Sequence, residues 1–129
     1  MHRNVQRVTR NAYSLCMLKD DLLRGLDAQQ HEAVVTPPSS IVVHAGAGSG
    51  KTRVLTHRIA YRVAEGTAKP ENILAITFTR EAAGEMRKRL TNLGVDRTNG
   101  AGPTVGTFHA VALSLLRQRL IDIGQPVPN

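Results

Sequence analysis

"HAGAGSGKTR", residues 44–53, decides how this chain is read. Gly46, Gly48 and Gly50 let the backbone turn sharply and aim several N–H groups at one point. Lys51 follows at once, and Thr52 adds a hydroxyl. Upstream, Ile41, Val42 and Val43 form a continuous apolar run, as in a strand buried on both faces of a parallel sheet. Downstream, "KTRVLTHRIAYRVAEG" places Val54, Leu55, Ile59, Arg62 and Val63 at helical intervals and stops at Gly66. Strand, glycine loop, helix is a cradle for phosphates, because loop amides and the positive end of the helix face the same anion. The usual phosphate-loop pattern begins with glycine, and here that position is Ala45. The candidate nucleotide-binding residues are Ala45, Gly46, Ala47, Gly48, Ser49, Gly50, Lys51, Thr52 and Arg53. Lys51 is expected on the β- and γ-phosphates and Thr52 on Mg²⁺, the two residues closest to catalysis. Arg53 either contacts phosphate or structures the loop.

The rest of the chain repeats this alternation. "MLKDDLLRGLDAQQHEAV" spaces Leu18, Leu22, Leu23 and Leu26 at helix-like intervals, and Asp27 is a good N-cap for a short helix over "AQQHEAVV". "TPPSS" marks a turn. Ile73–Phe78 is a second β-rich run. "EAAGEMRKRLTNLG" then puts Ala82, Ala83, Met86, Leu90 and Leu93 on one helical face, with Glu85 and Arg89 paired on the other. "TVGTF" is a third short β-like run, and "HAVALSLLRQRLIDIG" a third helix with Val111, Leu115 and Leu116 inward. Strands alternating with helices predict an α/β fold, a parallel sheet with helices on its faces. The glycine loop, "TFTR" and "GTFHA" each follow a predicted strand and would open on one edge of that sheet, where ligands bind.

Composition narrows the partners. At 129 residues the chain allows one compact domain. Its net charge of +7 suits a polyanion, although Arg3, Arg7 and Arg10 carry part of it within the first 16 residues, where no acid occurs. A single cysteine, Cys16, excludes an internal disulfide and a cysteine-cluster metal site, leaving no disulfide partner. No apolar run approaches the ~18 residues of a membrane span, so no membrane partner is expected, and a reducing, cytoplasmic setting fits. Residues 1–21 read as an N-terminal extension and 22–129 as the folded unit.

Four ordered motifs, "LDAQQHEAV", "AGAGSGKTR", "LAITFTREAAGEMRKRL" and "VGTFHA", make residues 22–119 resemble the UvrD/PcrA/Rep group of superfamily 1 DNA helicases. The resemblance implies a P-loop NTPase fold of RecA-like type, ATP with Mg²⁺ as cofactors, and single-stranded or partly duplex DNA as partner. It implies that Gln30 reads adenine, since a side-chain amide can donate and accept at once. It also implies a DNA-binding surface of Thr77, Phe78 and Thr79 in one motif and Thr107, Phe108 and His109 in the other. An aromatic face can stack a base without reading sequence, and hydroxyls can hold phosphates; the alternative for both phenylalanines is a place capping the sheet core.

The chain departs from the family in three places. Asp27 stands where the family often has Asn, and Arg80-Glu81 where it usually has Asn-Lys. Hydrolysis in such machinery needs an acidic pair after a buried strand, one carboxylate for Mg²⁺ and one for water. No four apolar residues followed by Asp-Glu occur; Asp122 in "RLIDIG" lies in a helical pattern without a following acid. The expectation is therefore the ATP-binding segment of a DNA helicase, an incomplete first motor lobe whose own hydrolysis is negligible. A non-enzymatic nucleic-acid-binding fragment, or part of a helicase-nuclease subunit, is the alternative.

Overall fold

The computed structural model describes residues 18–48, 50–95 and 102–128. Most of the N-terminal extension, Cys16 and Ser49 therefore fall outside the described residues. A short helical stretch at 18–23 leads into α1 (Ala28–Val35), α2 (Lys51–Glu65), a 3₁₀ turn (Pro70–Asn72), β1 (Leu74–Thr77), α3 (Arg80–Asn92), β2 (Thr104–Thr107) and α4 (Phe108–Asp122).

The helices begin and end where their sequences say they should. Asp27 accepts from the Gln30 amide at 2.8 Å, and the Gln30 side chain accepts from the Asp27 amide at 3.1 Å, a complete capping box. Thr79 caps α3 and Thr107 caps α4 by accepting from Ala82 and Ala110 amides. Gly66 closes α2 in the left-handed conformation that glycine adopts without strain. On α3, Arg89 donates to Glu85 through Nη2 at 2.5 Å, as the i,i+4 spacing predicts.

β1 and β2 pair in parallel, Leu74 opposite Thr104 and Thr77 opposite Thr107. The two strands therefore end together on one edge. Ala75 is buried with Val105 packed nearby, on the side facing the core cluster that includes Met86 and Leu90 of α3. On the other face Gly106 lies so close to α4 that an added methyl would sit 3.3 Å from the Val111 side chain. Glycine there is what lets α4 approach the strand.

The core is built around α2. Val54, Ile59, Ala60, Tyr61 and Ala64 meet Val34 of α1, Met86 and Leu90 of α3, Leu22, Ala75 and Val95. Two arginines reinforce its contact with α1, as described below.

Three expectations are corrected. Ile41–Val43 is not a strand: the segment is extended without ladder bonds, and Val42 is 80% exposed. Among the described residues the sheet has two strands, not three. The physical reason is that a strand exists only by pairing, and the ladder of β1 with β2 leaves this segment unpaired. Leu115 and Leu116 do not point inward, being 65% and 51% exposed; only Val111 of α4 is buried. Apolar period alone cannot say whether a covering surface exists. Leu55 of α2 is likewise exposed, because the buried flank is filled by Val54, Ile59 and their neighbours.

The contrast is directly measurable. Leu90→Ala should destabilise the chain by about 2–5 kcal/mol in a urea titration, since it empties a fully buried site. Leu115→Ala should cost less than about 0.5 kcal/mol. Equal losses would contradict the exposed face of α4.

Candidate nucleotide-binding site

The glycine loop is shaped as its composition demands. Gly48 and Gly50 hold φ of 76° and 80°, a left-handed backbone that side chains disfavour. Gly50 is also the N-cap of α2 and offers no side chain to its first turn, and that turn contains no acid. The positive end of a 15-residue helix therefore faces the loop with no carboxylate in its own first turn. A methyl built on Gly46 or Gly48 meets nothing within 4 Å, so the loop borders open space. Lys51 is exposed on the first helical residue, and Thr52 is half-buried beside it.

α1 brings Gln30 to the same place. A methyl built on Gly50 would lie 3.2 Å from Gln30 Nε2. Gln30, Asp27, His44, Ala45, Gly46 and Lys51 line one cleft of about 270 Å³, with Val54 at its base. Two segments that are about 20 residues apart in sequence thus form one wall and one floor. Ala47 and Gly48 stand exposed at the loop. Arg53 turns the other way: its Nη2 would sit 3.2 Å from a methyl built on Gly25, while its carbonyl oxygen lies 2.8 Å from His57 Nδ1. The geometry ties Arg53 to the turn before α1 rather than to the cleft.

Arg58 is a residue that sequence reading missed. Its Nη1 donates to the carbonyls of Ala33 at 2.8 Å, Val34 at 3.4 Å and Thr36 at 2.7 Å, and its Nη2 to Pro37 at 3.3 Å. One turn on, Arg62 donates to Val35 at 3.4 Å and to Glu65 at 2.8 Å. These carbonyls end α1, whose last turn carries no basic residue of its own. Burial, and then the neighbouring charge of Arg62, lower the pKa of Arg58, yet a guanidinium stays charged. The only sequence signal was negative, a helix end without a cation.

The second candidate cluster stands at the sheet edge. Phe78 and Phe108 follow β1 and β2 directly, with ring centroids 5.4 Å apart and planes at 47°. They are 89% and 53% exposed, so neither caps the core. Thr79 and Thr107 accept from helix amides, and Thr77 donates to the Thr79 carbonyl at 3.0 Å. The two capping hydroxyls keep their protons for an outside acceptor. His109 is exposed on the first turn of α4. Among the described residues no three His, Cys, Asp or Glu side chains gather as a metal site, and no helix is long and apolar enough to cross a membrane. A larger cleft of about 490 Å³ between α3 and β2 contains none of the candidate residues, and its Arg87 is committed to the Val105 carbonyl at 2.7 Å.

A glycine-rich turn thus leads into the N-terminal end of α2, and α1 closes on it through Gln30. The family model for the UvrD/REP helicase N-terminal domain matches residues 26–127. The chain is 49% identical over 108 residues to ATP-dependent DNA helicase UvrD2 of Mycobacterium tuberculosis (strain ATCC 25618 / H37Rv), covering 80% of this chain and 15% of that protein. It is 49% identical over 105 residues to DNA helicase II of Escherichia coli (strain K12), covering 81% and 14%. To ATP-dependent DNA helicase PcrA of Bacillus subtilis (strain 168) it is 47% identical over 110 residues, covering 83% and 14%. This chain belongs to the UvrD/REP helicase family, and it spans about 15% of the length of these relatives.

Gly50→Ala should destabilise the chain by about 1–2 kcal/mol, because alanine strains at φ 80° and its methyl presses on Gln30. Thermal unfolding checks this; an unchanged midpoint would contradict the left-handed turn.

Proposed function

We propose that residues 22–129 form the nucleotide-entry part of the first motor lobe of an ATP-dependent DNA helicase, built on a RecA-like P-loop NTPase fold. The observation that carries this reading is the joint wall of Gln30, Gly46 and Lys51 around one cleft, in a chain of the UvrD/REP family. The donor set suits a magnesium nucleotide. The loop turns on left-handed glycines, borders open space and sits at a helix end whose first turn has no acid, so a triphosphate would meet amides there, with the capping Asp27 the carboxylate that lines the cleft.

When bound, ATP supplies a phosphoanhydride bond, and its Mg²⁺ offsets phosphate charge. The chain's own residues bind and orient it. The loop from Ala45 through Ala47, Gly48 and Ser49 to Gly50 wraps the phosphates, and Lys51 places a mobile cation on them. Thr52 offers its hydroxyl to Mg²⁺. The Gln30 side-chain amide, whose Oε1 serves the capping box, would face the edge of the adenine base. Arg53 supports the loop from behind. Single-stranded or partly duplex DNA would cross the sheet edge, stacking a base on the Phe78–Phe108 pair and setting phosphates near Thr77, Thr79, Thr107 and His109.

Hydrolysis by the chain itself is expected to be negligible, because it offers no Asp-Glu pair after a buried strand to activate water. A soluble, cytoplasmic setting follows from a DNA substrate.

Binding of a fluorescent ATP analogue with Mg²⁺ tests the reading. Lys51→Ala should weaken it at least about tenfold, the loss of one charge-assisted contact. Turnover should stay at background with or without a DNA oligonucleotide. Binding indifferent to Lys51, or DNA-stimulated hydrolysis abolished by Lys51→Ala, would contradict this account. Phe108→Ala should separately weaken salt-sensitive oligonucleotide binding about five- to tenfold.

A further inference from the structure

We infer that Arg58 is a positioning residue for base recognition, holding α1 so that Gln30 meets the nucleotide base at a set distance from the phosphate loop. The inference rests on the nucleotide-binding reading given above. It starts from the size of α1. Eight residues make about two turns, roughly 12 Å of helix, too short to hold itself in water. The helix must be fixed from outside at both ends. Its N-terminal end is fixed by the capping box, in which Gln30 is itself a member. Its C-terminal end has no basic residue of its own.

Arg58 supplies what that end lacks. Its planar fork reaches the carbonyls of Ala33, Thr36 and Pro37 at 2.8, 2.7 and 3.3 Å. Ala33 and the C-cap Thr36 carry orphan acceptors of the helix end, Pro37 follows it directly, and the charge on the fork opposes their partial negative charge. Arg58 lies on α2, the helix that begins at the phosphate loop. The fork therefore joins the phosphate-holding helix to the base-holding helix through one rigid group. Gln30 Nε2 stands so near Gly50 that a methyl built there would lie 3.2 Å from it, so a small slide of α1 changes how the amide is presented. Arg58 lines neither the cleft nor the glycine loop. Its effect on a nucleotide passes through α1, whose cleft-facing side-chain amide is carried by Gln30.

A purely structural role and a positioning role predict different readouts. Binding of N-methylanthraniloyl-ATP and N-methylanthraniloyl-GTP to the 129-residue chain should give a wild-type preference for ATP. Arg58→Gln should reduce that preference about tenfold, the worth of one or two well-placed hydrogen bonds. Competition by inorganic tripolyphosphate should stay within about twofold, since the phosphate loop is untouched. In a Gln30→Ala background, Arg58→Gln should change the preference no further. Should Arg58→Gln lose its cooperative thermal transition, Arg58→Lys takes its place. Lysine keeps the charge and stem but not the fork, and should give a smaller loss of preference.

Parallel weakening of both nucleotides with an unchanged ratio would overturn the inference. So would a further loss of preference in the Gln30→Ala background, or an Arg58→Lys ratio equal to wild type. A wild-type chain that binds through Lys51 without base preference defeats this inference alone. A wild-type chain with no Lys51-dependent binding defeats the proposed function and this inference with it.

Discussion

The buried flank of α2 is the constraint on which everything else rests. Val54, Ile59, Ala60, Tyr61 and Ala64 present one apolar stripe, and the fully buried Thr56 sits among them with its hydroxyl returned to the Thr52 and Arg53 carbonyls. No polar atom of Thr56 is left for the core to satisfy. α1 packs on that flank from one side and α3 from the other. Because the stripe is continuous, rotating α2 would drag apolar residues into water at about 25 cal/mol per Å². Its N-terminal end is thereby aimed in one direction, and that end is where Gly50 and Lys51 stand.

Anchoring and exposure are divided along the molecule. Residues 44–48 and Lys51 carry few buried atoms, so they can meet a ligand at little cost to the core. The scaffold behind them is held by a local capping box at one end of α1 and by long-range arginine contacts at the other, the Arg58 fork and the Arg62 bond to Val35, with Arg62 also paired locally to Glu65. Glu65 also lies 3.5 Å from Lys19, which stands over the Tyr61 ring at 5.1 Å. The partly buried members of this group couple the leading helical stretch to the end of α2. The sheet edge is arranged similarly: two short strands in register bring Phe78 and Phe108 together, and each strand hands over to a threonine-capped helix.

Local chemistry was legible in the sequence, and distant pairing was not. Asp27 and Gln30 announce the start of α1, Gly66 the end of α2, and the spacing of Ala83, Met86 and Leu90 the buried face of α3, because each depends on neighbours within four residues. Ile41–Val43 has the composition of a buried strand, yet strand pairing depends on a second segment that composition does not specify. The same holds for α4, where Leu115 and Leu116 have helical spacing but no covering surface among the described residues. At the site, the glycine cradle and Gln30 were readable, whereas the Arg58 fork spans 21 to 25 residues of sequence and follows no period. The orientation of Arg53 toward Gly25 was left open by the motif and is decided by packing.

The central claim is that α1 and the glycine loop jointly hold a nucleotide. Amide chemical shifts of the isotopically labelled chain, followed as Mg²⁺–ATP is added, test it most directly. The account predicts saturable shifts at Gly46, Gly48, Gly50 and Lys51 together with the side-chain amide of Gln30, all titrating with one affinity. Shifts spread over the arginine-rich surface, or glycine-loop shifts that leave Gln30 unmoved, would contradict it.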